Sequence, residues 1–221
     1  AYLVNANGAT TMLLQTVTIG DYPYFNPEQK PYEGAGIYYL RPLSTTIQPT
    51  REAGTQTLLW YALRYDVDDQ RAWSYQAGQR RVRLAPEFAY DTPVAQMGGV
   101  MFFDEINLFA GRMDRFDFQL KGKKYMYMPY NNYRMHLLRG EPSQLLGPHH
   151  FDPDKMRYEL RRVWEVEATP VPGARHMAKK KRFYLDEDTW LALAYEGWDH
   201  SDKLFRLLLS NGLPDYAHGG V

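Results

Sequence analysis

The stretch FYLDEDTW, residues 183–190, places three carboxylates in a row, Asp186, Glu187 and Asp188. Carboxylates that converge on one point can coordinate a metal ion or share a proton. These three residues instead join two strand-like runs of similar length, and Asp is favoured in tight turns because its side chain bonds to the backbone just beyond it. Side chains in such a turn point outward, and the spacing lacks the closing Glu of a calcium loop. The sequence therefore favours a turn over a metal or catalytic site.

A second candidate for metal chemistry is the segment GPHHFDPD, which holds His149 and His150 with Asp152 and Asp154 nearby. Imidazole and carboxylate are both zinc ligands. Adjacent residues of an extended chain point in opposite directions, however, and the segment lacks the His-Glu-x-x-His spacing that places two histidines on one helix face. A loop is favoured over a zinc site, and we predict no metal.

The sequence shows no motif for a catalytic nucleophile. It contains no Gly-x-Ser-x-Gly elbow, no phosphate-binding P-loop and no Gly-x-Gly-x-x-Gly dinucleotide motif. The absence of cysteine also excludes disulfides, thiolate metal ligands and cysteine nucleophiles. We therefore predict no catalytic residue and no cofactor, and the hypothesis of a lipid hydrolase has little support.

Two basic runs, KKKR (179–182) and RRVR (80–83), have two interpretations. They can be solvated strands or protected sheet edges, where lysine prevents aggregation, or they can bind an anionic surface. The first interpretation is favoured. Lys plus Arg and Asp plus Glu are balanced at 26 each, which argues against nucleic-acid binding, because nucleic-acid-binding proteins carry a basic excess.

Arg162 is the most informative charged residue. It lies on the apolar face of the strand-like segment 156–168, between a leucine and a tryptophan. A charge on such a face must be paired, or must reach solvent or a ligand. We favour a buried ion pair with an acidic residue such as Asp114 or Asp117. The alternative is an anchor for a polar head group inside an apolar cavity.

The segment PYNNYRMH (129–136) contains Tyr130, Asn131, Asn132 and Tyr133. Consecutive asparagines readily adopt left-handed turn conformations, so a turn or bulge is expected. Asn and Tyr side chains can also supply polar contacts at the mouth of a cavity.

The elements that would position these residues are mostly β-strands. In MRYELRRVWEVEA (156–168), Tyr158 and Trp164 lie on an apolar face, whereas glutamates lie on the other. Alternation with a period of two predicts a half-buried antiparallel strand. Two residues break the pattern, because Val163 falls on the charged face and Arg162 on the apolar face.

Similar runs, separated by Pro, Gly and short polar segments, predict one mainly antiparallel sheet of about ten strands, which tends to curl or close. The runs are 11–19, 36–43, 55–65, 72–75, 80–85, 114–122, 125–129, 176–185, 190–199 and 203–209. Residues 122–124 are expected to connect two of them, and long loops are expected at 20–35 and 137–155.

One helix is predicted in FFDEINLFAG (102–111), where Phe102, Ile106 and Phe109 share a helical face and Gly111 ends the helix. No apolar run approaches the roughly 20 residues of a membrane span. Since no shift in composition marks a boundary, we predict a single domain over residues 1–221.

Aromatic residues are abundant, with 18 Tyr, 10 Phe and 5 Trp among 221 residues. They suit half-buried pleated surfaces, and they line pockets for apolar ligands. The few predicted helices would leave an apolar sheet face uncovered, and such a face marks a ligand or partner site.

Three segments carry a family resemblance: WSYQAGQRRVRLAPEFAYDTP (73–93), DRFDFQLKGKKYMYMPYNNYRMH (114–136) and RYELRRVWEVEATPVPGARHMAKKKRFYLDEDTW (157–190). They resemble a family of Gram-negative bacterial proteins of unassigned function, which is described as outer-membrane lipoprotein-sorting-like and belongs to the LolA/LolB-type superfamily. Members of that family are substantially longer. Because the sequence begins AYLVNANG and stops at YAHGGV, we expect a partial or processed chain.

The resemblance implies a mainly β (α+β) fold, in which a large curved antiparallel sheet forms a half-barrel with few helices on its concave side. It also implies one LolA/LolB-like domain, export to the periplasm and an apolar concave face that receives acyl chains. Genes of this family often stand beside those of an RND-type inner-membrane transporter and an outer-membrane protein, which implies these two as partners. The family provides no catalytic residues to carry over.

Two hypotheses for function follow. The first is a periplasmic carrier or chaperone for a lipid or other hydrophobic molecule that moves between the inner and outer membranes. The alternative is a non-catalytic adaptor subunit of an envelope transporter complex. For the carrier, the residues expected to contact the ligand are Arg162, Trp164, Tyr158, Tyr130, Asn131, Asn132, Tyr133, Trp60, Phe116 and Phe118.

Overall fold

The computed structural model describes residues 1–25, 37–85, 90–137 and 144–213. The strands are β1 (Tyr2–Val4), β2 (Thr10–Met12), β3 (Gln15–Asp21), β4 (Tyr38–Gln48), β5 (Gln56–Ala62), β6 (Arg71–Gln76), β7 (Arg81–Leu84), β8 (Phe116–Pro129), β9 (Tyr158–Pro170), β10 (Lys180–Asp186), β11 (Ala192–Trp198) and β12 (Leu204–Leu209). The α-helix is α1 (Tyr133–Leu137), and 3-10 helices lie at Pro23–Phe25, Thr50–Glu52, Ala95–Met97, Phe103–Leu108, Met113–Arg115 and Pro153–Lys155. None of the described helices has the length and apolar composition of a membrane span.

The strands form antiparallel ladders in three sheets. β1 pairs with β2, sheet I has the order β3-β4-β5-β6-β7, and sheet II has the order β12-β11-β10-β9-β8. Neighbouring strands in both large sheets are consecutive in the sequence, including β3 and β4 and also β8 and β9, which long segments of sequence separate. The predicted mainly antiparallel β fold with few helices is confirmed. The prediction of one sheet of about ten strands is wrong, because the ladders of the described residues divide into sheets of two, five and five strands.

Contacts between residues group the chain into two compact units. Unit 1 comprises Ala1–Leu3, Thr11–Asp104 and Ala110–Met113, and it contains sheet I. Unit 2 comprises Val4–Thr10, Glu105–Phe109 and the residues from Asp114 onward, and it contains sheet II.

Sheet II has buried apolar residues on both of its faces. One face carries a cluster of Leu108, Phe116, Ala168, Phe183 and Tyr195. The other face carries a cluster of Met128, Tyr130, Val163, Tyr184, Leu193 and Ala194. Val163, which the alternation of 156–168 placed facing outward, is therefore fully buried, because the charged side of this strand covers a second apolar core.

The predicted connection at 122–124 is wrong. β8 runs through it without a break and pairs with β9 from Phe116 to Pro129. The ladder shifts register by a bulge between Leu120 and Gly122, where Gly122 has φ of 120°. Glycine adopts this conformation without steric cost, so the sequence GKK forms a bulge inside one long strand.

The predicted helix at 102–111 is also wrong. Phe103–Leu108 forms short 3-10 turns with non-helical backbone at Ile106 and Asn107. Leu108 and Phe109 nevertheless pack on the cluster that contains Phe116. The non-helical backbone at Ile106 and Asn107 interrupts the helical face that the spacing of Phe102, Ile106 and Phe109 predicted.

The basic run 179–182 does not form a sheet edge, because β10 is the central strand of sheet II. Lys181 is fully buried, with its ammonium 4.8 Å from the ring centre of Phe116. The other run, 80–83, does lie at an edge, since β7 is an outer strand of sheet I among the described strands. At 133–137, the chain forms α1 next to the expected turn, where Asn131 has φ of 54°.

Candidate functional site

The acidic turn 186–188 holds two adjacent arginines of β9 on opposite faces of sheet II. Arg161 donates from Nε to Asp186 Oδ1 at 2.9 Å, and from Nη2 to Asp186 Oδ2 at 3.0 Å and Asp188 Oδ2 at 2.6 Å. On the other face, Arg162 donates from Nε and Nη2 to Glu187. Consecutive strand residues point to opposite faces of a sheet. Asp186 therefore pairs with Arg161 on one face, and Glu187 pairs with Arg162 on the other.

Asp186 is fully buried, so the expectation that all three acidic side chains point outward is wrong for this residue. Burial alone would raise the pKa of Asp186, but hydrogen bonds from Arg161 and from the Thr189 N–H and hydroxyl outweigh it. Its pKa therefore lies below the usual value. The turn prediction itself is correct, and the acids are structural counter-ions for β9.

Arg162 forms its ion pair with Glu187, not with Asp114 or Asp117. The pair is not buried, because 46% of the Arg162 side chain is exposed. Hydrogen bonds from Arg162 and from Lys123, whose Nζ lies 2.5 Å from Glu187 Oε1, lower the pKa of Glu187 to about 2. Arg162 thus retains exposed donor groups, while one carboxylate fixes its orientation.

The side chains around Arg162 form an exposed aromatic surface at one end of sheet II. We name this the Arg162 surface, and it consists of Tyr125, Tyr127, Tyr158, Leu160, Arg162 and Trp164. In the register of β8 and β9, Tyr125 faces Arg162 and Tyr127 faces Leu160. Tyr127 is 72% exposed and Leu160 is 57% exposed. The surface combines apolar area with a fixed guanidinium, which suits an amphipathic ligand or partner.

Trp164 lies close to both a cation and a second indole. Lys123 Nζ is 4.0 Å from its ring centre, and Trp190 stacks on it at 6.1 Å with an interplanar angle of 16°. Trp190 has φ of 61°, which is unfavourable for a bulky residue. Strained residues are often found at binding sites, and this one enlarges the aromatic area beside Arg162.

The remaining predicted residues of unit 2 lie away from the Arg162 surface. Phe116 is buried and Phe118 is partly buried in the packed cluster of sheet II. Tyr130 belongs to the opposite cluster, where the Arg161 guanidinium lies 4.5 Å from its ring centre. These positions give the three rings a role in packing.

The asparagine pair holds β8 and β9 together. Asn131 Nδ2 donates to Glu159 Oε1 at 2.6 Å, and buried Asn132 accepts the Arg157 N–H at 2.7 Å. Tyr133 is exposed on α1. The two amides act as local connectors, and the structure does not bring them together with Arg162.

Trp60 lies in unit 1, on one face of sheet I. Its ring centre is 5.0 Å from those of Tyr38 and Trp73. It lines a recess of about 290 Å³ that we name the Trp60 groove, formed by Leu43, Gln56, Leu58, Trp60, Trp73, Tyr75 and Val82. All but one of these residues are apolar or aromatic, and their strands place them on the same face.

Sequence reasoning missed Lys123, Glu187 and Trp190 at the Arg162 surface and most of the Trp60 groove. Lys123 was assigned to a connection, and the groove residues were read only as strand interiors. Hydrophobic runs predicted the positions of these strands, but they carried no information about the recess that the strands form together. Among the described residues, no group of three or more His, Asp or Glu side chains is placed to hold a metal ion.

Comparison with known proteins identifies the family. The family model described as "Protein of unknown function (DUF1329)" matches residues 1–220. The uncharacterized protein PA3922 of Pseudomonas aeruginosa is 39% identical over 171 residues, which are 77% of this chain and 37% of that protein. The chain therefore spans little more than a third of this curated relative.

Two solved structures are similar to this chain. A domain from Vibrio parahaemolyticus, described as an outer membrane lipoprotein-sorting protein, has a TM-score of 0.51 at 15% identity over 81% of this chain and 60% of its own. A DUF1329 family protein from Desulfovibrio piger has a TM-score of 0.47 at 17% identity over 77% of this chain and 56% of its own. The Vibrio likeness shows a shared fold, and the predicted resemblance to lipoprotein-sorting-like proteins is confirmed. Because the family model spans nearly every residue, the chain belongs to the DUF1329 family.

Proposed function

We propose that this chain is a non-catalytic carrier that binds a lipid or other hydrophobic molecule in the periplasm and moves it between the inner and outer membranes. The observation that carries the proposal is the Trp60 groove, a concave and almost entirely apolar recess on sheet I. Ligand pockets are typically concave, mostly apolar and about 300–1,000 Å³ in volume. The fold shared with the lipoprotein-sorting domain of Vibrio supports a location in the envelope.

The groove provides the driving force for binding an alkyl chain. Each buried CH₂ group contributes about 0.8 kcal/mol, so six methylenes would contribute about 5 kcal/mol before the cost of association. The rings of Trp60 and Trp73 add flat apolar walls, and their mutual packing fixes them in place before a ligand arrives. Preformed walls lower the entropic cost of binding.

A charge placed in the groove tests this proposal. Val82 is 65% exposed and lines the groove from the edge strand β7, so Val82→Glu adds a carboxylate there without removing a buried side chain. Gln76→Glu adds the same charge on the neighbouring strand β6, at a position that alternates to the other face of sheet I. We expect Val82→Glu to weaken binding of the apolar probe N-phenyl-1-naphthylamine about tenfold, because a carboxylate must lose water to contact an apolar ligand. Gln76→Glu should bind like the wild type.

Native mass spectrometry of protein purified from its own host provides the complementary measurement. A bound hydrophobic molecule that is lost in Val82→Glu but retained in Gln76→Glu would support the carrier. Protein that is consistently empty, together with equal probe binding by both variants, would refute it.

A second candidate function, suggested by the Arg162 surface, is that of an adaptor. In this role the chain would join an envelope complex with an RND-type inner-membrane transporter and an outer-membrane protein. Tyrosine and arginine are enriched at protein interfaces, and this surface exposes Tyr125, Tyr127 and Arg162 side by side. Stoichiometric copurification of a membrane partner without lipid, abolished by Tyr127→Ala, would favour the adaptor.

A further inference from the structure

A second recess, larger and more polar than the Trp60 groove, lies in the same unit. It has a volume of about 590 Å³, and we name it the Arg71 cleft after one of its two arginines. Its lining includes Tyr65, Arg71, Trp73, Leu84, Arg112 and one acidic residue, Asp69. Its size falls within the range of small-molecule sites, and its composition differs from that of the groove because it carries charge.

Each of the two cleft arginines has an acidic neighbour within 4 Å. Arg71 is 3.8 Å from Asp68, and Arg112 is 3.8 Å from Asp69. Elsewhere in unit 1, Arg41 holds its carboxylate at 2.5 Å. Charge-assisted hydrogen bonds are typically about 2.7–2.9 Å. A guanidinium carries five N–H donors, so it can keep a distant carboxylate on one side and bind an oxyanion closely on another.

Tyr65 adds a hydrogen-bond donor to the cleft. Its hydroxyl is buried and makes no hydrogen bond within the described residues. Burial raises the pKa of Tyr65, so the phenol keeps its proton at neutral pH. A buried polar group without a partner is costly, and an oxyanion in the cleft would accept a hydrogen bond from the Tyr65 hydroxyl.

Trp73 joins the cleft to the Trp60 groove, because it lines both. Arg71, Trp73 and Tyr75 alternate along β6 and therefore lie on one face of sheet I. Arg71 lies at the cleft and Tyr75 at the groove, about 13 Å apart along an extended strand. Leu84 and Val82 of β7 repeat the arrangement, since they pair with Trp73 and Tyr75 respectively. The charged cleft and the apolar groove are therefore neighbours along β6 and β7.

We propose that the Arg71 cleft binds the oxyanion head group, a carboxylate or phosphate, of an amphiphile whose alkyl chain lies in the Trp60 groove. Arg71 and Arg112 bind the oxyanion, and the Tyr65 hydroxyl donates a hydrogen bond to it. Trp73 contacts the part of the alkyl chain next to the head group. This inference rests on the proposed carrier function and specifies its cargo as an anionic amphiphile.

Binding of matched probes separates the two halves of the site. Dodecyl phosphate presents both halves of the ligand, dodecyl maltoside presents the chain with a neutral head group, and inorganic phosphate presents the oxyanion alone. Each is titrated below its micelle concentration with Trp fluorescence as the signal. The variants are Arg71→Gln and Arg112→Gln, and Arg81→Gln on the exposed edge strand is the control for charge.

We expect dodecyl phosphate to bind at least tenfold more tightly than dodecyl maltoside, since two guanidinium contacts are made only with the former. Each cleft variant should reduce this preference several-fold and leave dodecyl maltoside binding unchanged, which also shows that the variant is folded. Arg81→Gln should keep the full preference.

Other outcomes overturn the inference in distinguishable ways. Equal affinity for the two dodecyl probes, or equal loss of both in the cleft variants, would refute the head-group site while leaving the carrier intact. Inorganic phosphate binding as tightly as dodecyl phosphate would show a site for free phosphate instead of an amphiphile. Failure of both dodecyl probes to bind would refute the carrier itself.

Discussion

We expect Asp186 to contribute much more to stability than Asp188. Both carboxylates accept hydrogen bonds from Arg161, but Asp186 is buried and Asp188 is exposed. Asp186→Asn keeps the shape of the side chain but removes its charge. Asp186 Oδ1 accepts a hydrogen bond from Arg161 Nε, and Oδ2 accepts hydrogen bonds from Arg161 Nη2 and from the N–H and hydroxyl of Thr189. An asparagine NH₂ at either position would therefore face another donor.

The magnitude follows from burial. Removing one partner of a buried ion pair typically costs 3–5 kcal/mol. Arg161 is 20% exposed and keeps Asp188, so we expect a loss near the lower end, about 3 kcal/mol. Asp188 is 74% exposed, and Asp188→Asn should cost less than about 1 kcal/mol and leave ligand binding intact.

Urea denaturation monitored by Trp fluorescence measures both variants, with the slope of the transition as a check on the unfolded state. The pH dependence supplies a second test. Because the pKa of Asp186 lies below its usual 3.8, its contribution is present above that pH and is lost as the pH falls further. The difference in free energy of unfolding between the wild type and Asp186→Asn should therefore decrease as the pH falls below about 4. If Asp186→Asn and Asp188→Asn lose equal free energy of unfolding at pH 7, the reasoning from burial is wrong.

Two further predictions concern sheet II. In Glu187→Gln, the free energy of unfolding should fall less steeply with decreasing pH than in the wild type. The pKa of Glu187 is lowered from its usual 4.5 to about 2, so its stabilising contribution is lost between these values as the pH falls. Urea midpoints of wild type and variant that change in parallel from pH 6 to pH 2 would contradict this. Gly197→Ala should cost about 1–3 kcal/mol, because the added methyl would lie 2.8 Å from Tyr195 Oη and 3.3 Å from Arg206 Cβ. Gly78→Ala, whose methyl meets nothing within 4 Å, is its control, and equal urea midpoints for these two variants would refute the steric argument.

Local pattern predicted the strands well where one face of the strand is apolar. The alternation in 156–168 identified β9, and short runs with turn residues between them identified the meanders of both large sheets. The same rule failed at 122–124, because a glycine bulge preserves a strand while breaking its period. The helical spacing at 102–111 was also misleading, because Ile106 and Asn107 have non-helical backbone and the segment forms 3-10 turns.

The candidate site was predicted only in part. Arg162, Trp164 and Tyr158 do lie together on one exposed face, as their spacing along a strand requires. Phe116 and Phe118 share that face of sheet II, but Leu108 and Phe109 pack against them. Whether an apolar residue is covered depends on segments distant in sequence, and no period within the strand contains that information.

The sequence by itself determined a mainly antiparallel β protein, the two faces of the strand in 156–168, the turn at 186–188 and the family resemblance, because these depend on neighbours a few residues away. The tertiary structure decided which partner each charge has and which apolar faces stay open. Arg162 pairs with Glu187, 25 residues further along the chain, and Lys181 lies in the buried centre of a sheet instead of at its edge. The Trp60 groove likewise exists only where β4, β5, β6 and β7 align in register. Ion pairing and concavity are properties of side chains brought together across strands, and the order of strands in a sheet is fixed by the packing of the whole chain.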